Sequence, residues 1–212
     1  MGGDLHKIQV VGRYFVEIWK AAGMKLSNVK FLWASDEINK RAEEYWSRVM
    51  DISRNTNITR IKKCCQIMGR AEGDDMPTSN ILYPCMQCAD VFFLKADVCQ
   101  LGMDQRKVNM LARDYCKEPT KPIIISSHMI MGLKKDQEKM SKSDPGSAIF
   151  MEDSAKEVEK KIKAAYCPEN VIEKNPIIDY VKYIILPALE NEFLIPVRTE
   201  QGTENRIYRS YS

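Results

Sequence analysis

Along the chain, stretches whose apolar residues recur every three or four positions alternate with short runs that are apolar throughout, the pattern of helices interleaved with strands. Val10 to Ala22 reads as an amphipathic helix ending at Gly23. Phe31-Leu32-Trp33-Ala34 has the length of a brief strand, after which Ser35 caps a long helical stretch through Glu43, Tyr45, Trp46 and Met50. Asn57 caps a further helix through Ile61, Cys64, Cys65 and Met68, and Thr78 or Ser79 caps one running through Ala89. The mostly apolar run from Phe92 to Leu101 reads as a strand closed by Gly102, and the helix that starts near Asp104 carries Val108, Leu111 and Ala112 at helical spacing. Lys121 to His128 is a β-branched run entered through Pro122, a second core strand. Beyond Met151 the pattern turns helical. Asp153 or Ser154 caps a run with Val158, Ile162 and Ala165 inward, and Asn175-Pro176 opens another with Ile178, Val181, Ile184 and Ile185. After Pro187 the chain becomes strand- and turn-like.

Composition agrees with a globular α/β chain: 212 residues, 44% hydrophobic and 29% charged, can bury one sizeable core and a small appended unit. A net charge of +3 argues against a dedicated polybasic binder, yet leaves room for RNA, which is read through local patches and shape. No stretch approaches membrane-spanning length and the start lacks the apolar segment of a signal peptide, so no membrane partner is expected. Seven scattered cysteines suit a reducing compartment. Cys85 and Cys88 lack a second ligand pair, since Cys64 and Cys65 are adjacent, and no metal site is expected.

Three constellations carry candidate chemistry. Tyr83, Gln87 and Asp90 recur at spacings of four and three and line one helix face. A phenol and an amide suit the ammonium and carboxylate of a free amino acid, and a carboxylate beyond them can accept a hydrogen bond from a substrate hydroxyl. The same stripe would serve as the wet side of an amphipathic helix with Leu82, Met86 and Ala89 inward. Asp104 and Gln105 fall at the carboxyl end of a strand and the amino end of a helix, where open α/β sheets bind ligands; a plain helix cap is the alternative for Asp104. Lys139-Met140-Ser141-Lys142-Ser143, followed by Asp144-Pro145-Gly146, places two ammonium groups and two hydroxyls in one loop able to close over a triphosphate.

Lys139 to Ser143 matches in full the signature loop of class I aminoacyl-tRNA synthetases, and two further segments narrow the likeness: Tyr83-Pro84-Cys85-Met86-Gln87-Cys88-Ala89-Asp90 and Gly102-Met103-Asp104-Gln105-Arg106-Lys107. Together they resemble the tyrosyl-tRNA synthetases of eukaryotic and archaeal type. The resemblance implies an α/β fold. Residues 1–150 would form the second half of a class I Rossmann-type catalytic domain with a helical insertion, and residues 151–212 the start of an α-helical anticodon-binding domain. It places Tyr83, Gln87, Asp90 and Gln105 on the amino acid, Asp104 on the nucleotide ribose and His128 on the ATP side. Lys139, Met140, Ser141, Lys142 and Ser143 would bind ATP, with Lys139, Ser141 and Lys142 acting on the leaving pyrophosphate. The implied substrates are tyrosine, ATP with Mg2+ and tRNA(Tyr), with no tightly bound cofactor, in a cytoplasmic enzyme that forms a homodimer through the helical insertion. Arg60, Lys62, Lys63 and Arg70 of that insertion could touch phosphate or form a solvated basic face. Two rival readings are a tryptophanyl-tRNA synthetase and a truncated, non-catalytic paralogue. Asp90 argues against the first, because an indole offers an N–H but no hydroxyl.

The chain departs from the family in having Met131 where a proline commonly precedes Gly132-Leu133, a minor change. The second class I signature, His-x-Gly-His, is not present: neither His6 nor His128 has a second histidine three positions away. These 212 residues by themselves are therefore expected not to catalyse tyrosine-dependent ATP–pyrophosphate exchange. Exchange above a protein-free control, in a preparation cleared of host synthetase, would contradict this.

Overall fold

The computed structural model describes residues 3–65, 76–117, 119, 121–141, 144–189, 192–200 and 202–209. The chain divides into two compact units, Met1–Arg48 and Val49–Ser212.

In the first unit, helix α1 (Leu5–Ala21) starts at Asp4, whose carboxylate accepts the Lys7 amide at 3.1 Å. After a left-handed Gly23 (φ +89°) the chain passes through Val29 and Trp33, both extended, into α2 (Ala34–Lys40). The strand expected at Phe31–Ala34 is not formed: among the described residues this segment has no strand to pair with. Its rings pack on α1 instead. Phe31 stacks on Trp19 at 5.3 Å, and Trp33 lies so close to Gly12 that a Cβ there would come within 2.6 Å of the ring. Ser35 is not a cap either, since α2 begins one residue earlier with Trp33 at the capping position and no side-chain bond. Arg41 (φ −138°, ψ 46°) divides the expected long helix into α2 and α3 (Ala42–Asn55), and its guanidinium bridges Glu37 and Glu44 across the break.

The core of the second unit is a stack of helices on a parallel strand pair. Val49 and Ile52 of α3 are fully buried. Helix α4 (Ile58–Cys64), capped by Asn57 as expected, contributes Ile61 and Cys64; the expected extension to Met68 lies outside the described residues. Helix α5 (Thr78–Phe93) contributes Cys85, Cys88, Ala89, Val91 and Phe93. It follows Pro77 with no side-chain cap, so neither Thr78 nor Ser79 acts as one. Pro84 within α5 has no N–H to give to the Asn80 carbonyl, and the Cys65 thiol donates to that oxygen at 3.2 Å in its place.

The apolar run from Phe92 splits between two elements. Helix α5 continues through Phe93, Lys95 turns the chain in the left-handed region (φ 53°), and β1 is confined to Val98–Gly102. Val91 and Phe93 are buried on the helix and the Phe92 ring meets Tyr115 edge-on at 5.4 Å, so packing keeps these residues helical. Helix α6 (Arg106–Tyr115), entered through a 3-10 turn at Met103–Gln105, buries Val108, Leu111 and Ala112. Strand β2 (Ile123–Ser127) pairs in parallel with β1, from Val98 opposite Ile123 to Gly102 opposite Ser127.

Helix α7 (Ala155–Lys163) is closed by a capping box between Ser154 and Glu157. Helix α8 (Pro176–Tyr180) is capped by buried Asn175, which accepts from the Ile177 and Ile178 amides, and runs through a π turn at Val181–Ile185 into α9 (Leu186–Ala188). An antiparallel hairpin of β3 (Phe193–Thr199) and β4 (Gly202–Tyr208) follows.

Six of the seven cysteines are buried and Cys167 is exposed. Burial pushes the Cys88 thiol up to about 12 and also raises those of Cys64, Cys65, Cys85 and Cys99, which suppresses the nucleophilic thiolate. At pH 8 the native protein should therefore release one equivalent of thionitrobenzoate rapidly from Ellman's reagent, and Cys167→Ser should abolish that phase. Rapid reaction of several thiols would show the packing around α4 and α5 to be wrong.

Candidate active site

Helices α5 and α6 wall a cleft of about 710 Å³ whose floor is β1. Tyr83, Gln87 and Asp90 line it from α5, and Gln105 and Asn109 line it from α6 and the turn before it. The face expected from the spacing of the three α5 residues lines this cleft, with Tyr83 half exposed and Gln87 and Asp90 part-buried. Its opposite side is fixed by the burial of Cys85, Cys88 and Ala89. Gln87 Nε2 donates to Gln105 Oε1 at 3.1 Å, which joins the two walls and leaves each amide one free polar group for a ligand.

Parallel pairing of β1 with β2 brings the carboxyl ends of both strands to one edge, with Gln100 Nε2 and Ser127 Oγ in contact at 3.3 Å across them. Asp104 emerges from this edge two residues after Gly102. A Cβ on Gly102 would collide with the Met129 sulfur and come within 2.8 Å of Asp104 Oδ1, so the bare glycine makes room for that carboxylate. Lys139, from the signature loop, sets its ammonium 3.6 Å from Asp104 Oδ2. The cleft, Asp104 and the loop are therefore consecutive: Gln105 faces the cleft and its neighbour Asp104 faces the lysine.

The base of the loop is held by backbone and charge. Buried Leu133 donates to the Ser147 carbonyl at 2.9 Å, Gly132 to the Gln137 carbonyl at 3.1 Å, and Lys134 grips both oxygens of Asp144 at 2.8 and 2.7 Å. Met140 and Ser141 are half-buried, and Lys142 and Ser143 lie outside the described residues. His128 follows β2 directly. Its Nε2 sits 2.8 Å from Asp179 Oδ1 and its ring stacks on Tyr183 at 3.8 Å, while the other Asp179 oxygen accepts the Met131 amide. Of the basic residues noted earlier, Arg60 pairs with Asp114 at 2.9 Å, Lys62 and Lys63 are exposed, and Arg70 lies outside the described residues. Among the described residues, no group of three His, Cys, Asp or Glu is placed to hold a metal ion.

Sequence reasoning missed the Lys134–Asp144 clamp, the Asp179 and Tyr183 partners of His128, and Asn109. The first two join residues ten and fifty-one positions apart, a separation at which no periodic pattern operates. Asn109 carried a signal, as a polar residue between the core positions Val108 and Leu111.

This arrangement matches known proteins along the whole chain. A model of the tRNA synthetases class I (W and Y) family matches residues 2–211. Tyrosine–tRNA ligase 1, cytoplasmic, of Arabidopsis thaliana is 60% identical over all of this chain, which spans 55% of that protein. The tyrosine–tRNA ligase of Picrophilus torridus is 40% identical over 99% of this chain, covering 68% of its own length. The structure of Leishmania major tyrosyl-tRNA synthetase in complex with tyrosinol superposes with a TM-score of 0.87 at 48% identity, covering 99% of this chain and 33% of that one. Tryptophanyl-tRNA synthetase of Mycoplasma pneumoniae is similar in fold alone, with a TM-score of 0.53 at 20% identity over 70% of this chain and 51% of that one. The chain belongs to the class I tRNA synthetase family of the tryptophan and tyrosine enzymes, and within it to the tyrosine–tRNA ligases. It spans about half the length of the first of these relatives.

The space around Gly102 gives a direct test. Its backbone (φ −61°, ψ 157°) suits any residue, so Gly102→Ala acts through the collision alone, and because the atoms in the way are the ends of the Met129 and Asp104 side chains, which can shift, it should cost about 1 kcal/mol in urea denaturation. Gly146→Ala, whose Cβ would meet nothing nearer than Lys134 Cε at 3.6 Å, should stay within about 0.5 kcal/mol. Equal effects would contradict the close approach at Asp104.

Proposed function

We propose that this chain carries the tyrosine pocket and the signature loop of an enzyme that activates tyrosine with ATP and transfers it to tRNA(Tyr). The observation that supports the reading is the continuity from the α5–α6 cleft through Gln105 and Asp104 to Lys139, the residues read as amino-acid site, ribose acceptor and phosphate-binding cation. The Leishmania enzyme similar to this chain is complexed with tyrosinol, and the similar Pyrococcus horikoshii enzyme with L-tyrosine.

In the proposed mechanism, Tyr83, Gln87 and Gln105 hold the ammonium and carboxylate of tyrosine, and Asp90 accepts the phenolic proton as a hydrogen bond. Asp104 binds the ribose hydroxyls of ATP, with His128 and Met140 beside the nucleotide. The tyrosine carboxylate attacks the α-phosphate in line, forming the mixed anhydride as the bond to pyrophosphate breaks. Lys139, Ser141 and Lys142 donate to the departing oxygens and Ser143 binds ATP beside them, where magnesium bound with ATP would add positive charge. A ribose hydroxyl at the tRNA 3′ end then attacks the activated carbonyl and releases AMP. Positioning and charge stabilisation carry both steps. We further read residues 1–150 as Rossmann-type catalytic domain, residues 151–212 as the start of the anticodon-binding domain, the helical insertion as a homodimer contact, and the cytoplasm as the compartment. No helix among the described residues is long and apolar enough to cross a membrane.

Lys139→Ala or Lys142→Ala, in a complete enzyme containing this segment, should slow adenylate formation by about 2–4 kcal/mol of barrier with tyrosine affinity nearly unchanged. Single-turnover pyrophosphate release measures the first quantity and equilibrium tyrosine binding the second. An unchanged activation rate, or an equal loss of tyrosine affinity, would overturn the assignment.

A further inference from the structure

We propose that Asp179 is a positioning residue for ATP: its carboxylate holds His128 with the ring proton on Nε2, and so offers the nucleotide a bare Nδ1 as a hydrogen-bond acceptor. The inference rests on the reading above that sets His128 beside the nucleotide, and assigns a residue that reading does not use.

His128 opens the segment that leads from the carboxyl end of β2 to the signature loop, and residues 128–133 form no helix or strand of their own. Helix α8 and the π turn after it supply what holds them. Asp179 Oδ1 lies 2.8 Å from His128 Nε2, Asp179 Oδ2 accepts the Met131 amide at 3.2 Å, the Tyr180 hydroxyl donates to the Met131 carbonyl at 2.7 Å, and the Tyr183 ring stacks on the imidazole. The departure at Met131 has a use here, since a proline in its place would have no N–H for the carboxylate. Asp179 is 10% exposed and commits both oxygens to this one segment.

A neutral imidazole carries one proton and a carboxylate only accepts, so the proton sits on Nε2 and Nδ1 keeps its lone pair. Among the described residues Nδ1 has no hydrogen-bond partner, and the His128 side chain is 40% exposed. Turning the ring would give up both the Asp179 bond and the Tyr183 stack, so the bare nitrogen is held in one place. Phosphate oxygens only accept, and the nucleotide group that meets this nitrogen is therefore a hydroxyl or amino group of the nucleoside. A carboxamide in place of the carboxylate reverses the choice. The Met131 N–H can only donate, so the carboxamide oxygen must face it and the NH2 must face His128, whose Nε2 then has to be bare. Asp179→Asn thus keeps both bonds and moves the ring proton to Nδ1, which turns the offered acceptor into a donor.

Two measurements test this. Nitrogen NMR of the 212-residue chain with isotopically labelled histidine, at a pH that leaves the imidazole neutral, reads the tautomer of His128, told apart from His6 by His6→Gln. The proton should be on Nε2 in the parent and on Nδ1 in Asp179→Asn. In a complete enzyme containing this segment, Asp179→Asn should raise the KM for ATP about threefold to tenfold, with a smaller change in kcat and the KM for tyrosine nearly unchanged. Added to His128→Gln, it should raise that KM no further, because the group it acts through is gone. A parent proton on Nδ1 would overturn the Asp179–His128 arrangement whatever the reaction. A tautomer that shifts while the KM for ATP does not would overturn the positioning role and leave the tyrosine reading standing. Equal losses for ATP and tyrosine with a lowered melting temperature would make Asp179 merely structural. If Asp179→Asn does not fold, the parent tautomer and His128→Gln decide, and an unchanged KM for ATP in the latter would overturn the role. A complete enzyme that does not activate tyrosine would take down the reading and the inference together.

Discussion

The parallel register of β1 and β2 is the constraint from which the site follows. With Gly102 opposite Ser127, the residues that leave the two strands emerge at one edge, Asp104 and Gln105 from the first and His128 from the second. A slip of one residue would reverse which side chains face α6 and carry Asp104 away from the loop. The register is secured at its entry by the Ile123 amide donating to the Asp97 carbonyl at 2.8 Å, and by the apolar face of α6 packed on both strands.

The core under the cleft resolves its polar obligations in an uneven way. Pro84 removes a helical donor, and the resulting free carbonyl is answered by the Cys65 thiol, a weak donor but a small one that fits among close-packed helices. The Gln87–Gln105 bond satisfies part of each amide and leaves the remainder toward the cleft. The helices are thus packed tightly on their shared side and polar on the cleft side.

Magnitudes separate the contacts that hold the signature loop from the one that hardly does. The Leu133–Ser147 backbone bond is buried, and an unsatisfied partner there would cost about 1–3 kcal/mol. The Lys139–Asp104 pair is 3.6 Å apart with the lysine more than half exposed, and such a pair is worth roughly 0–1 kcal/mol. The base of the loop is therefore anchored, whereas the Lys139–Asp104 pair contributes little to holding it.

Local pattern determined a good part of this protein. The caps at Asn57 and Asn175, a cap at Asp153 or Ser154, the single face shared by Tyr83, Gln87 and Asp90, and the existence of two strands though not the start of the first follow from patterns of a few residues, because helix and strand geometry repeat over that range. The signature loop and the segments around Tyr83 and Gly102 carried the family. Tertiary structure decided the rest. Phe31 and Trp33 stack on α1 where an apolar run suggested a strand, and α5 absorbs Phe92 and Phe93 because their neighbours bury them there. Lys139 meets Asp104 across thirty-five residues and His128 meets Asp179 across fifty-one. Apolarity states that a residue will be buried; only the packing of distant elements states against what, and that choice placed the site.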